Sequence, residues 1–308
     1  MTDKDKLQKS ESSEVGFYGS LFASVSLPAS TPKKRHWTRT NGRDTLIIEA
    51  GTAPKIRYNK IVKDENRNAV IESLKVPAGI IPRHIMLYFS YVWVINRQKG
   101  EQSKTIYLGS SLSEFLKRIN MTKGGKQYSL LIEQIRRLFN CRIGTIKETQ
   151  DGIITKSPKP IIEESQLWWS FKQPDQKTIL PSKIKISESL ANILDKSFPL
   201  NLQTVEAIGK NVLAFDLYSW LTSRHYSLTT PKVITYENLH EQFGSQYKEL
   251  RDFKIRLKKA FELVKTHYKH NSIITEQGIE LRKSKTDIEP KNISSQVSKQ
   301  FLIDMNIK

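Results

Sequence analysis

Between Thr235 and Tyr268 the chain reads TYENLHEQFGSQYKELRDFKIRLKKAFELVKTHY, and its spacing predicts two helices separated by one glycine. Thr235 is an N-cap residue for a short helix over residues 236–243. Gly244 then offers the left-handed position that ends a helix without a side-chain penalty. A second helix is expected from Ser245 or Gln246 to about Thr266. Its apolar residues, Leu250, Phe253, Leu257, Phe261 and Val264, recur at steps of three and four. Lys248, Arg251, Lys254, Arg256, Lys258, Lys259 and Lys265 cover much of the remaining surface. A short helix, a turn and a long basic helix form the shape of a DNA-reading helix-turn-helix. A solvated, lysine-rich amphipathic helix has the same spacing.

Charge bears on that choice. The chain of 308 residues carries 50 Lys and Arg against 31 Asp and Glu, a net charge of +19. Such an excess concentrates a protein near polyanions, whether DNA, RNA or an anionic membrane. Hydrophobic residues make up 38% of the chain, enough for one large core or two modest ones. A single cysteine, Cys141, excludes an internal disulfide framework and fits a reducing cytoplasm. Ile80–Ile95, the longest apolar run, is interrupted by Pro82, Arg83 and His84 and is too short to span a bilayer. The N-terminus has no apolar signal region, so no membrane partner and no secretion are expected.

Residues 1–45 are Ser-rich, basic and without sustained periodicity, which predicts a disordered tail. Lys33, Lys34, Arg35, Arg39 and Arg43 within it form either a nucleic-acid-binding arm or a soluble linker. Downstream, Ile85 to Ile95 predict a nearly all-apolar helix, central to a core or shared with a partner chain. A short strand follows at Thr105–Leu108. Ser111, with Glu114 at the capping-box position, then starts a helix. After the break MTKGGK comes a third helix near Tyr128–Asn140, and RIGTIKETQDGIITK reads as a hairpin turning at Asp151–Gly152. LWWSF at residues 167–171 reads as a further strand. Helix, strand, helix, turn, helix and hairpin is the order of a winged helix.

That order repeats. Ser187 caps a helix in SESLANIL, Leu202–Ile208 is a short helix, and Asn211–Tyr226 is largely apolar. Val233–Thr235 is a short strand before the helix-turn-helix, and residues 270–282 close as a hairpin at Gln277–Gly278. Two copies of one order carry more weight than either copy alone. Residues 112–142 have net charge +5 and residues 245–285 net +6, so these windows hold +11 of the +19.

In a helix-turn-helix, the first turn of the second helix meets base edges, and nearby cations meet phosphates. The candidates in the second copy are Ser245, Gln246, Tyr247, Lys248, Arg251, Lys254 and Lys258. Gln246 suits adenine and Arg251 suits guanine, whereas Lys254 and Lys258 suit phosphates. On the hairpin, His270, Asn271, Arg282 and Lys283 are placed to touch the DNA backbone or the minor groove, and a solvated hairpin reads at least as well. Lys123, Gly124, Gly125, Lys126, Gln127, Arg136 and Arg137 are the candidates in the first copy, where a phosphate can sit at the amides opening the helix. A flexible turn reads equally well there. No nucleotide-binding loop is present, and the six histidines form neither HxH nor HExxH, so no catalysis, cofactor or metal is expected.

PRHIMLYFSYVWVINRQ, IYLGSSLSEFLKRINMTKGGK and IEQIRRLFNCRI in the first half have counterparts in the second: VLAFDLYSWLTSRHYSL and ITYENLHEQFGSQYKELRDFKIRLKKAFELV. With LWWS between them, these motifs resemble the plasmid-encoded RepA-type replication initiators of bacteria over roughly residues 74–285. Lys248, Arg251 and Lys254 match the family's recognition-helix region, and Lys123 to Lys126 its glycine turn. The resemblance implies an α+β fold of two tandem winged-helix domains with a flexible N-terminal tail. The expected limits are 1–45 for the tail, 46–182 for the first domain, 183–290 for the second and 291–308 for a C-terminal tail. It further implies binding to double-stranded DNA at origin repeats called iterons, a homodimer through the first domain, host replication proteins as partners and residence on plasmid DNA in the cytoplasm. A winged-helix repressor on an operator palindrome is the competing reading, and a basic RNA-binding protein a more distant one.

Overall fold

Two helices that the sequence makes apolar on nearly every side each form the centre of a separate unit. The computed structural model describes residues 15–57, 60–170, 172–244 and 246–288. Residues 24–196 form one unit, and residues 1–23 and 197–308 contribute to the other. The fold is α+β. Its elements begin with β1 (Val15–Gly19), α1 (Ser20–Ser24), β2 (His36–Asn41), β3 (Asp44–Glu49), β4 (Thr52–Pro54), β5 (Ile56–Arg57), β6 (Lys60–Ile61) and β7 (Ile71–Ser73). They continue with α2 (Ile80–Gln98), β8 (Thr105–Gly109), α3 (Leu112–Arg118), α4 (Gly125–Phe139), β9 (Arg142–Glu148), β10 (Ile153–Pro160), β11 (Ile162–Gln166), β12 (Ser182–Ile186) and α5 (Glu188–Leu194). The rest is β13 (Ser197–Asn201), α6 (Leu202–Ile208), α7 (Val212–Ser227), β14 (Lys232–Thr235), α8 (Tyr236–Phe243), α9 (Leu250–His267), β15 (Ile273–Ile274) and β16 (Gly278–Leu281).

In the unit of residues 24–196, α2 is buried without interruption from Ile81 to Trp93. Two polar residues inside that run are matched by backbone carbonyls. The Arg83 guanidinium donates to Leu27 O at 2.6 Å, Gly79 O at 2.7 Å and Pro28 O at 3.2 Å. His84 Nδ1 lies 2.8 Å from Ile119 O. Ser111 caps α3 by accepting from the Glu114 amide, and Glu114 turns back to the amide of Ser110 at 2.6 Å. This return crosses Gly109, whose φ of +108° and missing Cβ leave room for the carboxylate.

The hairpin β9–β10 is present with its turn at Asp151–Gly152, but it is extended by the hairpin β2–β3 into a four-stranded sheet of order β10-β9-β3-β2. The expected tail is therefore corrected: residues 15–45 include β1, α1, β2 and the start of β3. Alternation explains the gain, since Trp37, Leu46, Ile48 and Ile143 share the buried face of the sheet. Arg39 on that face stacks over Trp37 at 5.0 Å. Residues 1–14 and the expected C-terminal tail over 291–308 lie outside the described residues.

The expected boundary at 182/183 also moves. β12 pairs with β8 and β11, and α5 packs on α2, so residues 183–196 complete the first unit. LWWS is not a strand in the described residues 167–170. Trp169 instead inserts against Phe115, ring centroids 5.2 Å apart, and its Nε1 donates to Gly109 O at 3.0 Å.

In the other unit α7 is buried from Leu213 to Thr222, and α9 packs along it. Phe253, Leu257, Ala260, Phe261 and Val264 form the buried stripe of α9. Burying a Phe, Leu or Val side chain of this kind contributes about 1.5–3 kcal/mol. β14, the strand between α7 and α8, pairs with the closing hairpin in the order β14-β16-β15. β1 joins this unit by pairing antiparallel with β13. Tyr18 on β1 meets Phe215 edge-on at 5.3 Å.

Candidate nucleic-acid interface

α8 begins and ends where its spacing predicts: Thr235 Oγ1 accepts from the Asn238 amide at 3.3 Å. Gly244 follows with φ −91°, not left-handed. Its role is close approach, because a Cβ there would lie 2.3 Å from the His240 ring. His240 Nε2 reaches Tyr247 O at 3.1 Å, and the Tyr247 amide donates to Gly244 O at 2.8 Å. Both rings rest on Phe253, with centroids 5.1 Å away for His240 and 5.7 Å for Tyr247. The turn is thus tied to the core below it.

This tight turn delays α9 to Leu250. Gln246, Tyr247 and Lys248, expected in the first helical turn, lie before the helix, and Ser245 is outside the described residues. Gln246 and Lys248 are exposed, while Tyr247 is half-buried. Arg251 and Lys258 are exposed on α9. Lys254 is half-buried, its ammonium 4.7 Å from the Tyr236 ring centroid, a cation–π contact that orients the side chain. Leu250, Arg251, Lys254, Ile255 and Lys258 line a shallow, open depression of about 360 Å³. Among the described residues, no carboxylate pairs with Lys248, Arg251, Lys254 or Lys258. Sequence reasoning passed over Ile255, whose position off the three-and-four spacing marks it as outward-facing.

On the closing hairpin Arg282 is exposed but chelated by Glu280, with Nε to Oε1 at 2.8 Å and Nη2 to Oε2 at 3.1 Å. That pairing raises the Arg282 pKa and lowers that of Glu280. Asn271 is exposed and Lys283 beside it is exposed too, but His270 is buried and cannot touch a ligand as its hairpin position had implied. Burial holds the His270 and His225 imidazoles down at about 4, neutral at ordinary pH. His225 bridges Tyr268 at 2.7 Å and Ser272 at 2.8 Å.

The corresponding region of the other unit is arranged differently. Gly124 is the N-cap of α4, and Gly125 is its first residue. Lys126 is exposed and Gln127 half-buried at that end. Lys123 Nζ pairs with Asp175 Oδ1 at 2.7 Å, and this bond raises its pKa. Arg136 donates to Glu72 at 2.5 Å and to Pro54 O at 2.9 Å. Arg137 is buried, paired with Glu133 and donating to Thr31 Oγ1 at 2.8 Å. Placing Arg137 on a DNA-facing surface is therefore incorrect: its guanidinium turns inward to a carboxylate and a hydroxyl.

Cys141 is fully buried, and burial pushes its thiol up to about 12. No group of three His, Cys, Asp or Glu among the described residues is placed to hold a metal ion. No helix there is long and apolar enough to cross a membrane.

A search of curated proteins returns no sequence match. Among solved structures, domains 2 and 3 of RctB, crystallised as a selenomethionine derivative, superpose with a TM-score of 0.50 at 12% identity, covering 87% of this chain and 98% of that one. A second structure of RctB domains 2–3 gives 0.41 at 12% identity, over 84% and 94%. The first likeness is one of fold. The family model described as plasmid encoded RepA protein matches residues 76–238, from the start of the α2 region through the first half of α8. With more than half of its length matched, the chain belongs to the family of plasmid-encoded RepA proteins, the replication-initiator family that its paired motifs resemble.

Proposed function

We propose that this protein initiates plasmid replication by binding direct repeats in the origin as double-stranded DNA, and that it acts by binding and not as an enzyme. The observation carrying this reading is α9: a long helix fixed by a packed turn, with Arg251 and Lys258 exposed and unpaired among the described residues. The order α7, β14, α8, α9, β15, β16 with its closed sheet supports a winged helix. In that geometry α9 enters the major groove, Arg251 meets a base edge and Lys258 a phosphate. Gln246 and Lys248 approach the backbone from the turn. The unit of residues 24–196 provides auxiliary contacts through Lys126 and the amides at the start of α4. Pairing with a second copy through that unit, where Tyr107, Trp168 and Leu180 are exposed, belongs to the same reading.

Footprinting on the DNA flanking the gene, at two salt concentrations, tests the reading. Protection of several direct repeats that survives the higher salt is the expected result. A single protected palindrome over a promoter would replace the initiator with a repressor. Uniform coverage lost at higher salt would leave only a basic protein attracted to phosphate.

A further inference from the structure

α9 buries Phe253, Leu257, Ala260, Phe261 and Val264. At 100° per residue, Ile255 lies about 180° from the centre of that stripe. It is 47% exposed and stands where a merely solvated helix would place a polar residue. Arg251 is one turn before it and Lys258 one turn after, and all three line the same depression. The middle of the outward face is therefore a branched aliphatic group flanked by Arg251, Lys258 and Lys259, with Asp252 the one acidic residue a turn away.

An occupant matching this face must offer anionic rims and an apolar spot between them. The major groove of a DNA duplex has both: phosphates along its edges and the thymine 5-methyl group on its floor. Double-stranded RNA lacks the methyl group, and its major groove is too deep and narrow for side chains to read. We propose that Ile255 is a specificity residue that reads a thymine methyl next to the base pair read by Arg251. This rests on the proposed DNA-binding reading. It adds a requirement on the sequence of the repeat: a thymine at one defined position, contacted by no hydrogen bond from Ile255.

The test uses the full chain and duplexes carrying one origin direct repeat, with each thymine replaced in turn by deoxyuridine, which removes only the methyl group. Binding is followed by fluorescence anisotropy at fixed salt. One or two positions should weaken binding about fourfold, the effect of one buried methyl-sized group. In Ile255→Ala the same replacement should have no effect, and Ile255→Val should keep part of it. An exposed position makes loss of folding in these variants unexpected, and unchanged thermal melting verifies that. If the wild type prefers the repeat but tolerates every replacement, or if Ile255→Ala discriminates as well as the wild type, the inference is wrong while the DNA-binding reading stands. If the wild type binds the repeat no better than a scrambled duplex at the same salt, the DNA-binding reading fails and takes this inference with it.

Discussion

The two units follow the same order of helices, yet the arginines of α4 and α9 are used in opposite ways. In residues 24–196 the guanidinium groups hold the unit together: Arg83 on three carbonyls, Arg118 on Glu114, Arg136 on Glu72 and Arg137 on Glu133. In the other unit, Arg251 and Lys258 are exposed, and among the described residues neither is within ion-pair distance of a carboxylate. The sheets differ in parallel. β14 closes onto its own hairpin, whereas β8 pairs with β12 and the hairpin β9–β10 is taken over by β2–β3. A basic window thus says that cations are present, and only their partners say whether they are available. Under the proposed function, the unit of residues 24–196 is chiefly the scaffold and the other unit the main reader.

The largest way to separate them is acid. His225 and His270 are buried in the reader unit and held down at about 4 against an ordinary 6.5. A depressed folded-state value means that stability is full above 6.5 and is lost as pH falls from there towards 4. Full protonation should cost roughly 3 kcal/mol for each histidine. Hydrogen exchange of α7 and α9 amides, taken relative to the intrinsic rate, which itself slows in acid, should therefore accelerate between pH 6.5 and 4.5 more than that of α2, which has only His84 buried nearby. His270→Phe should flatten this response at little cost in hydrogen bonding, because neither ring nitrogen makes a well-formed hydrogen bond and only the Ser272 backbone lies near enough to act on the ring. Equal acceleration in both units would mean that they do not unfold separately.

Arg83→Met is the matching break in the scaffold. The aliphatic volume is kept, but the carbonyls of Leu27, Gly79 and Pro28 lose a charged donor, with a cost on the order of 3 kcal/mol. Urea denaturation should show the loss, while the DNA affinity of the molecules still folded stays unchanged.

Much of this was legible because it is local. Ser111, Ser187 and Thr235 cap helices where a side-chain oxygen precedes an apolar run, and α8 spans the residues expected of it. Spacing gives Phe253, Leu257, Phe261 and Val264 of the α9 stripe, whereas Leu250, expected in it, is half-buried and lines the outer depression, and the small Ala260 takes a buried place. What was not legible depends on residues far apart in the chain. Glu72 is 64 positions from Arg136, and β3 reaches β9 across nearly a hundred residues, so neither pairing leaves a periodic trace. Residues 15–45 lack helical periodicity because, apart from the single turn of α1, they are short strands and connections that need β9 and β13 to complete their sheets. The late start of α9 has a packing cause: His240 and Tyr247 both rest on Phe253, which keeps Gln246 and Tyr247 out of the helix.

Within the reader, Arg251→Ala should weaken binding to the repeat by about 1–3 kcal/mol and relax preference at one base pair, with thermal stability unchanged. Anisotropy against a panel of single-base variants measures both effects. Lys258→Ala should act more gently and without regard to sequence, lowering the slope of log affinity against log salt by about one. If the two substitutions gave the same profile, the division between base edge and phosphate along α9 would be wrong.

The smallest effect is the sharpest check on the comparison itself. Arg136 occupies the helix corresponding to α9, and a count of basic residues would rank it with Arg251. Its guanidinium instead spans Glu72 and the Pro54 carbonyl, linking α4 to the β4–β7 hairpin. Both partners are partly exposed, with side-chain accessibilities of 28% and 34%, so solvent screens the pair and its loss should cost no more than about 1 kcal/mol. Arg136→Ala is therefore expected to leave repeat affinity and salt slope as they are and to lower the melting temperature slightly. Glu72→Gln should reproduce that small shift, since it weakens the same contact from the other side. A fall in DNA affinity for Arg136→Ala but not for Glu72→Gln would show that the guanidinium leaves Glu72 for a phosphate when DNA arrives, and the scaffold would then be a second reader.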